Sequence, residues 1–181
     1  MNADKILFPG VGNAKYAMQE LAKSGFDSFL HDCVAAQTPV LGICLGSQII
    51  FDYSEEGDVA CLGIIKGKIR HFSNLLQKEN HSVLKIPHMG WNGIEFAKSS
   101  VLFTGIPENS DFYFVHSYVI QPENPDIVCA YSDYGMSFPA AIQQNNVFAC
   151  QFHPEKSGFL GLKILENFAG MSSRQITEAS C

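Results

Sequence analysis

Basic residues are scarce in this sequence, and long apolar runs are missing from it. The 181 residues include 12 Lys and Arg against 18 Asp and Glu, which gives a net charge of −6. Nucleic acid is not expected as a partner, because phosphate backbones are bound through clustered basic residues. No apolar run approaches the ~20 residues of a membrane span, and the first residues do not form a secretory signal. We therefore expect a cytoplasmic location and no membrane partner.

Paired cysteines and phosphate-binding loops are also lacking. None of the six cysteines belongs to a C-x-x-C pair, so a zinc site is not expected. Without a secretory signal the cysteines should stay reduced, which leaves one of them free to act as a nucleophile. The sequences G-x-x-x-x-G-K-[ST] and G-x-G-x-x-G are absent, which argues against the common nucleotide folds.

The first third of the chain alternates between strand and helix patterns. Residues Lys5 to Phe8 and Val40 to Cys44 are short apolar runs typical of buried strands. Between them the spacing predicts a helix that ends at Gly25 and a second helix capped by Asp27 or Ser28. A third helix is predicted from Gly46 to about Tyr53. This order predicts an α/β fold, a three-layer sandwich with a mostly parallel central sheet and helices on both faces.

The pattern changes after about Gly63 to closely spaced β-like runs, which predict antiparallel additions. Asn145-Asn146 lies between two of the runs and favours a hairpin turn, because Asn tolerates positive φ. A last helix is predicted at Gly161 to Phe168, followed by a loose tail at about 172–181. We expect one domain over 1–181. The runs are Ile64–Phe72, Ser82–Ile86, Gly93–Phe96, Phe112–Val119, Ile127–Tyr131, Ala140–Gln144 and Val147–Phe152.

The strongest local signal is Gly42-Ile43-Cys44-Leu45-Gly46, an apolar strand that enters a G-x-C-x-G turn before a helix. This is the nucleophile-elbow pattern with Cys in place of Ser. Small flanking residues permit a strained turn that lifts the side chain above the sheet edge. We expect the helix N-terminus to lower the pKa of the Cys44 thiol and the Leu45 N–H to donate to an oxyanion. A buried structural cysteine between two glycines is the alternative.

A thiol nucleophile needs an acid–base partner, and His153-Pro154-Glu155 is the candidate, although such a tripeptide taken alone is more often a plain turn. His153 stands at the end of an apolar run, at the edge where a nucleophile elbow also ends. Glu155 can orient and charge-stabilise its imidazole, as the third member of a catalytic triad does. Pro9-Gly10-Val11-Gly12 follows the first strand and could complete an oxyanion hole, although a plain β-to-α turn with glycines explains the segment better when it is taken by itself. His31, His71 and His81 look like surface residues, and His88 and His116 like structural ones.

Together these motifs resemble the class I (triad) glutamine amidotransferases over about residues 5–170. The elbow, extended by Ser47-Gln48, and the His-Pro-Glu segment are the two marks of that family. Further motifs resemble one branch, the glutaminase subunit of imidazole glycerol phosphate synthase in histidine biosynthesis. These are Pro9–Gly12, Pro87-His88-Met89-Gly90-Trp91-Asn92, Tyr113–Tyr118 and His153–Ser157.

The resemblance implies a role for each matching residue. Cys44 attacks the amide carbon of glutamine, His153 protonates the departing ammonia, and Glu155 orients His153. Leu45 and Val11 form the oxyanion hole, the latter either directly or after a flip of the Gly10–Val11 peptide. The resemblance assigns the remaining substrate contacts to Gly10, Gly12, Gln48, Glu56, Ser117 and Tyr118.

The resemblance also implies a partner. Residues Pro87, His88, Met89, Gly90, Trp91 and Asn92, together with Lys156, match positions that face a cyclase subunit with a (β/α)₈ barrel. Ammonia crosses that interface of the heterodimer to a phosphoribulosyl nucleotide intermediate. No metal and no organic cofactor is implied.

The chain departs from the family at its start, where members carry a further strand–helix–strand unit with an Asp-Tyr-Gly-x-Gly-Asn-like segment. Without that unit an open strand edge is expected. A shortened sequence, an edge paired with another chain and a degenerate paralogue all remain open. So do three other functions, which are ammonia supply for amidination in surface-polysaccharide sugar synthesis, an inactive binding module, and a cysteine hydrolase of the same sheet type.

Overall fold

The computed structural model describes residues 3–76 and 84–171. The helices are α1 (Ala14–Ser24), α2 (Phe26–Ala35), α3 (Leu45–Ile49) and α4 (Gly158–Gly170). The strands are β1 (Ile6–Gly10), β2 (Val40–Cys44), β3 (Tyr53–Ser54), β4 (Val59–Ala60), β5 (Gly67–His71), β6 (His88–Gly93), β7 (Glu95–Phe96), β8 (Asp111–His116), β9 (Tyr118–Pro122), β10 (Val128–Asp133), β11 (Ser137–Gln144) and β12 (Val147–Cys150). Single turns of 3₁₀ helix lie at Phe72–Asn74, Val101–Phe103, Pro125–Ile127 and Pro154–Lys156.

The main sheet has the strand order β1-β2-β12-β11-β10-β7. The pairs β1–β2 and β2–β12 are parallel, whereas β12–β11, β11–β10 and β10–β7 are antiparallel. The α/β class and the antiparallel additions are confirmed. The antiparallel share of this sheet is larger than predicted, because β7, β10 and β11 join the central sheet.

Helices cover both faces of the sheet, as the three-layer prediction requires. Side chains of β12 alternate between the two faces. Phe148 and Cys150 share an apolar cluster with Ile164 and Phe168 of α4. Val147 and Ala149 instead pack with residues of α1 and α2, among them Leu30. Two smaller sheets, β4-β3-β5-β9 and β6-β8, lie outside the main one.

Local chemistry explains where α1 and α2 begin and end. The Asn13 side chain accepts a hydrogen bond from the Tyr16 N–H and caps α1, and Gly25 ends the helix in the left-handed conformation at φ 73°. The next helix starts directly from Gly25, so the prediction of an Asp27 or Ser28 cap is wrong. Gly25 serves both helices because it reverses the chain within one residue.

Two further predictions are adjusted by the structure. The helix after Cys44 ends at Ile49, well before Tyr53, because Ile50 and Phe51 turn into the core instead of continuing the helix. The run Phe112–Val119 is divided at Ser117 into β8 and β9, which pair with different strands. Parts of the Ser82–Ile86 run, His81 and the tail at 172–181 lie outside the described residues. None of the described helices is long and apolar enough to cross a bilayer.

Candidate active site

Cys44 lies at the junction of β2 and α3, in a conformation that few residues adopt. Its φ is 51° and its ψ is −108°. This strained geometry is typical of a nucleophile held at an elbow. A Cβ added at Gly42 would lie 2.8 Å from the Gly46 carbonyl oxygen, so the turn closes only with a glycine at that position. The Cys44 side chain is nearly buried, and its Sγ lies 3.8 Å from the Val115 carbonyl oxygen.

The protonation of this thiol differs from the prediction. Burial raises the pKa of Cys44 to about 11, and the negative charge of Glu155 acts in the same direction. A hydrogen bond from the Leu45 N–H and the charge of Lys156 both lower the pKa, but their effect is smaller. The expected lowering at the helix N-terminus is present as the hydrogen bond from the Leu45 N–H, but it does not set the net direction, because the desolvation of the thiol is the larger effect. The resting nucleophile is a thiol that requires a base.

The fold brings His153 to the same sheet edge as Cys44. Strand β12 runs parallel to β2 with Cys150 opposite Ile43, so the chain that follows each strand emerges on one side. The His153 backbone N–H donates to the Tyr113 carbonyl at 2.9 Å, which fixes the backbone there. Both Cys44 and His153 line one cavity of about 300 Å³.

The pairing of His153 with Glu155 decides which ring nitrogen faces the cavity. Nδ1 of His153 lies 2.6 Å from Oε1 of Glu155, so Nδ1 carries a hydrogen, and in the neutral ring Nε2 carries the lone pair. Nε2 is buried and has no hydrogen-bond partner within residues 3–76 and 84–171. General-base activation needs such an unpartnered basic nitrogen, and His153 shares its cavity with the Cys44 thiol.

The segment after β1 lies against the elbow. Gly10 is opposite Cys44 in the parallel pairing of β1 with β2, and Val11 and Gly12 line the cavity beyond it. Gly12 has φ 103°, a value that favours glycine, and the Val11 side chain is 77% exposed. The structure thus places both predicted oxyanion segments, Val11 and Leu45, at the cavity that holds the nucleophile.

The predicted glutamine contacts form another wall of the cavity. Gln48 Nε2 donates to the Tyr118 carbonyl at 3.1 Å and to Gln151 Oε1 at 2.9 Å. Glu56 Oε2 accepts from the Ala14 N–H at 2.7 Å, and burial raises the pKa of this carboxyl. Ser117 lies beside Tyr118 in the lining, between β8 and β9. Gln151 belongs to none of the sequence motifs. It is a buried polar residue inside the otherwise apolar Val147–Phe152 run, and a polar residue in such a run is the sequence feature that indicates a role for it.

The predicted partner segment is strand β6, and its side chains alternate. Met89 and Trp91 are 62% and 58% exposed, whereas His88 is only 3% exposed. His88 therefore does not form part of an outer surface in this chain, because alternate residues of a strand point to opposite faces. Gly90 and Asn92 are partly exposed, and Pro87 and the exposed Lys156 line the cavity itself.

His116 also lines the cavity and contacts His88 behind it, with 3.1 Å between His116 Nε2 and His88 Nδ1. The pKa of His116 is lowered to about 3, chiefly by burial among Phe72, Phe114 and Phe138, and the hydrogen bond to the Tyr118 carbonyl opposes this lowering only in part. Burial likewise lowers the pKa of His88 to about 4. Both rings are therefore neutral near pH 7.

This pair predicts a loss of stability in weak acid. An unfolded histidine takes up a proton below about pH 6.5, while the buried pair does not, so unfolding is favoured as the pH falls from there toward 4. Each histidine that stays neutral in the fold contributes a slope of up to about 1.4 kcal/mol per pH unit. We expect urea unfolding to give a clearly lower free energy of unfolding at pH 5.5 than at pH 7.5. Equal values at the two pH values would contradict the neutral assignment.

Known proteins resemble this chain in sequence over most of its length. Residues 1–170 match the family model of glutamine amidotransferase class-I. The imidazole glycerol phosphate synthase subunit HisH of Neisseria gonorrhoeae is 45% identical over 166 residues, covering 92% of this chain and 78% of that protein. The subunit HisH of Methanocaldococcus jannaschii is 49% identical over 166 residues, covering 91% of this chain and 79% of that protein.

Solved structures agree in fold. The structure of PurLQS from Thermotoga maritima superposes with a TM-score of 0.62 at 17% identity, covering 90% of this chain and 78% of that one. The glutaminase domain of Trypanosoma brucei CTPS superposes with a TM-score of 0.60 at 14% identity, covering 94% of this chain and 72% of that one. With the elbow, the cavity and the sequence match in agreement, the chain belongs to the class I glutamine amidotransferase family.

Proposed function

We propose that this chain is the glutaminase subunit of an imidazole glycerol phosphate synthase. It hydrolyses glutamine to glutamate and ammonia, and the ammonia passes to a cyclase subunit that makes imidazole glycerol phosphate and AICAR in histidine biosynthesis. The observation that carries the proposal is one cavity lined by Cys44 and by His153, whose unpartnered Nε2 is oriented by Glu155. The similarity to two HisH subunits favours the histidine pathway over sugar amidination.

The proposed reaction has two halves. His153 Nε2 takes the proton of the Cys44 thiol as the sulfur attacks the amide carbon of glutamine, and the Leu45 N–H donates to the oxyanion. The same Nε2–H then protonates the nitrogen, the C–N bond breaks, and ammonia leaves a glutamyl thioester. Water, deprotonated by His153, hydrolyses the thioester to glutamate and restores the thiol.

The burial of the thiol explains why a base is needed and why the isolated chain should be slow. A thiol with a pKa of about 11 is almost fully protonated near neutral pH. Attack therefore depends on a proton transfer that requires close contact between Sγ and Nε2. We propose that binding of the partner improves this geometry.

We place the (β/α)₈ barrel of the cyclase on the face formed by Met89 and Trp91 next to Lys156. Exposed Trp and Met are typical of the central part of protein interfaces. Pro87 connects this strand to the cavity wall, so ammonia released there would lie near the interface. We propose that residues 1–181 act as a single amidotransferase domain within a cytoplasmic heterodimer.

The test is glutamate release by the purified chain, alone and with the cyclase and its phosphoribulosyl nucleotide ligand. We expect activity near background for the chain alone and clear ligand-dependent activity for the complex. The control replaces glutamine by an ammonium salt, which should support the cyclase without this chain. A folded chain that releases no glutamate beside a cyclase active with ammonium would refute the proposal.

A further inference from the structure

Two buried histidines connect the strand that carries Trp91 to the wall of the cavity. His88 is on β6 and His116 is on the neighbouring β8, and the two are opposite each other in the antiparallel register. Their rings meet through Nδ1 of His88 and Nε2 of His116, 3.1 Å apart. His88 stacks on Phe114 at 5.0 Å and on Tyr134 at 4.1 Å, which holds its ring plane.

The contacts of the two rings determine where each hydrogen is. His116 Nδ1 lies 2.7 Å from the Tyr118 carbonyl oxygen, which can only accept, so Nδ1 of His116 carries the hydrogen. In the neutral ring Nε2 then accepts, and His88 Nδ1 must donate to it. His88 Nε2 is left as an acceptor.

The amide of Asn92 supplies the matching donor at the far end. Asn92 Nδ2 donates to the Asp133 carbonyl at 2.8 Å, which fixes the orientation of the amide, and the same nitrogen lies 3.4 Å from His88 Nε2. Every donor therefore points the same way, from Asn92 through His88 and His116 to the carbonyl of Tyr118. Each ring therefore has a single tautomer with which all the hydrogen bonds of this series can form.

This series of hydrogen bonds ends at the Tyr118 carbonyl, which also binds the side chain of Gln48. The Tyr118 carbonyl accepts from Gln48 Nε2 at 3.1 Å, and the second hydrogen of that nitrogen goes to Gln151 Oε1 at 2.9 Å. With both amide hydrogens engaged, Gln48 presents its Oε1 as the group available to a ligand, which suits an ammonium group.

We infer that His116, supported by His88 and Asn92, is a positioning residue that sets the Tyr118 carbonyl and the Gln48 amide for the α-ammonium end of glutamine. This inference rests on the proposed function. It predicts that His116 acts on substrate binding more than on the chemical steps at Cys44, because the series of hydrogen bonds ends at Gln48 and Tyr118.

The kinetic test compares His116→Leu with His116→Asn in the complex with the cyclase. Asn places a donor near the position of Nδ1, whereas Leu removes it. We expect His116→Leu to raise KM for glutamine roughly 10-fold with kcat changed less than about 3-fold, and His116→Asn to restore KM to within about 3-fold. A folded His116→Leu enzyme with unchanged KM, or no recovery with Asn, would overturn the inference.

A second measurement covers the case in which His116→Leu fails to fold. Nitrogen NMR of the ¹⁵N-histidine-labelled wild-type chain at pH 7 should show two neutral rings, His88 and His116, each protonated at Nδ1. An Nε2–H tautomer at either ring would overturn the inference. If the wild-type complex shows no glutaminase activity, the proposed function fails. The two tautomers would then still show whether this series of hydrogen bonds is formed.

Discussion

Replacing Cys44 by alanine is expected to lower the glutaminase activity of the complex to background, a loss of about 10⁴-fold or more. The reason is that no other nucleophile is placed at the elbow, so the glutamyl thioester cannot form. Glutamate release under saturating glutamine measures the loss. Mass spectrometry of the quenched wild-type enzyme should reveal the thioester, and the variant should lack it.

Cys61 offers a matched control for this substitution. It is another free cysteine, partly exposed, and it packs near Ile49 outside the cavity lining. Cys61→Ala should keep wild-type turnover, which separates loss of the nucleophile from loss of a thiol in general. The Cys44→Ala complex should also still use ammonium, because that reaction takes place in the partner. Wild-type glutamate release by Cys44→Ala would show that the proposed mechanism is wrong.

Replacing Gly46 by alanine is expected to destabilise the fold by about 3 kcal/mol, which corresponds to a fall in Tm of roughly 6–12 °C. A Cβ at this position would overlap the carbonyl oxygen of Phe8 in β1. Since that atom belongs to the backbone of a paired strand, it cannot move aside as a flexible side chain would. Either β1 separates from α3 or the helix shifts, and both changes move the Leu45 N–H away from the nucleophile. Calorimetry and glutamate release measure the two effects.

Gly170 provides the control for this prediction. It lies at the end of α4, and a Cβ built there meets nothing within 4 Å. Gly170→Ala should leave Tm unchanged or slightly raised, because alanine has the better helix propensity. If Gly46→Ala melted with the control, the close approach of α3 to β1 would not be a requirement of the elbow.

The parts of the fold that the sequence predicts well are those determined by local signals. The strand Val40–Cys44 has the bounds expected from its continuous apolar run, and α1 ends at Gly25 because only that residue reverses the chain without strain. The pairing of His153 with Glu155 is equally local, since the two residues are separated only by a proline.

Features that depend on distant contacts could not be predicted in the same way. Strand β6 contains His88, two glycines and Asn92, and it lacks the alternating apolar pattern of a strand. It forms because β8 offers a complete partner. The pKa of Cys44 is a similar case, since the pentapeptide reveals the helix N-terminus but not the desolvation imposed by the surrounding strands. The Gln48–Gln151 contact joins residues 103 positions apart.

The burial of Cys44 has a consequence for the survival of the enzyme in an oxidising cell. Because burial raises the pKa of this thiol to about 11, very little thiolate is present at pH 7. Peroxides and alkylating agents react with the thiolate, so a resting subunit is expected to keep its nucleophile intact for long periods. Damage should concentrate in the moments when glutamine is being turned over. The desolvation that keeps the thiol protonated therefore also protects it from oxidation and alkylation between turnovers.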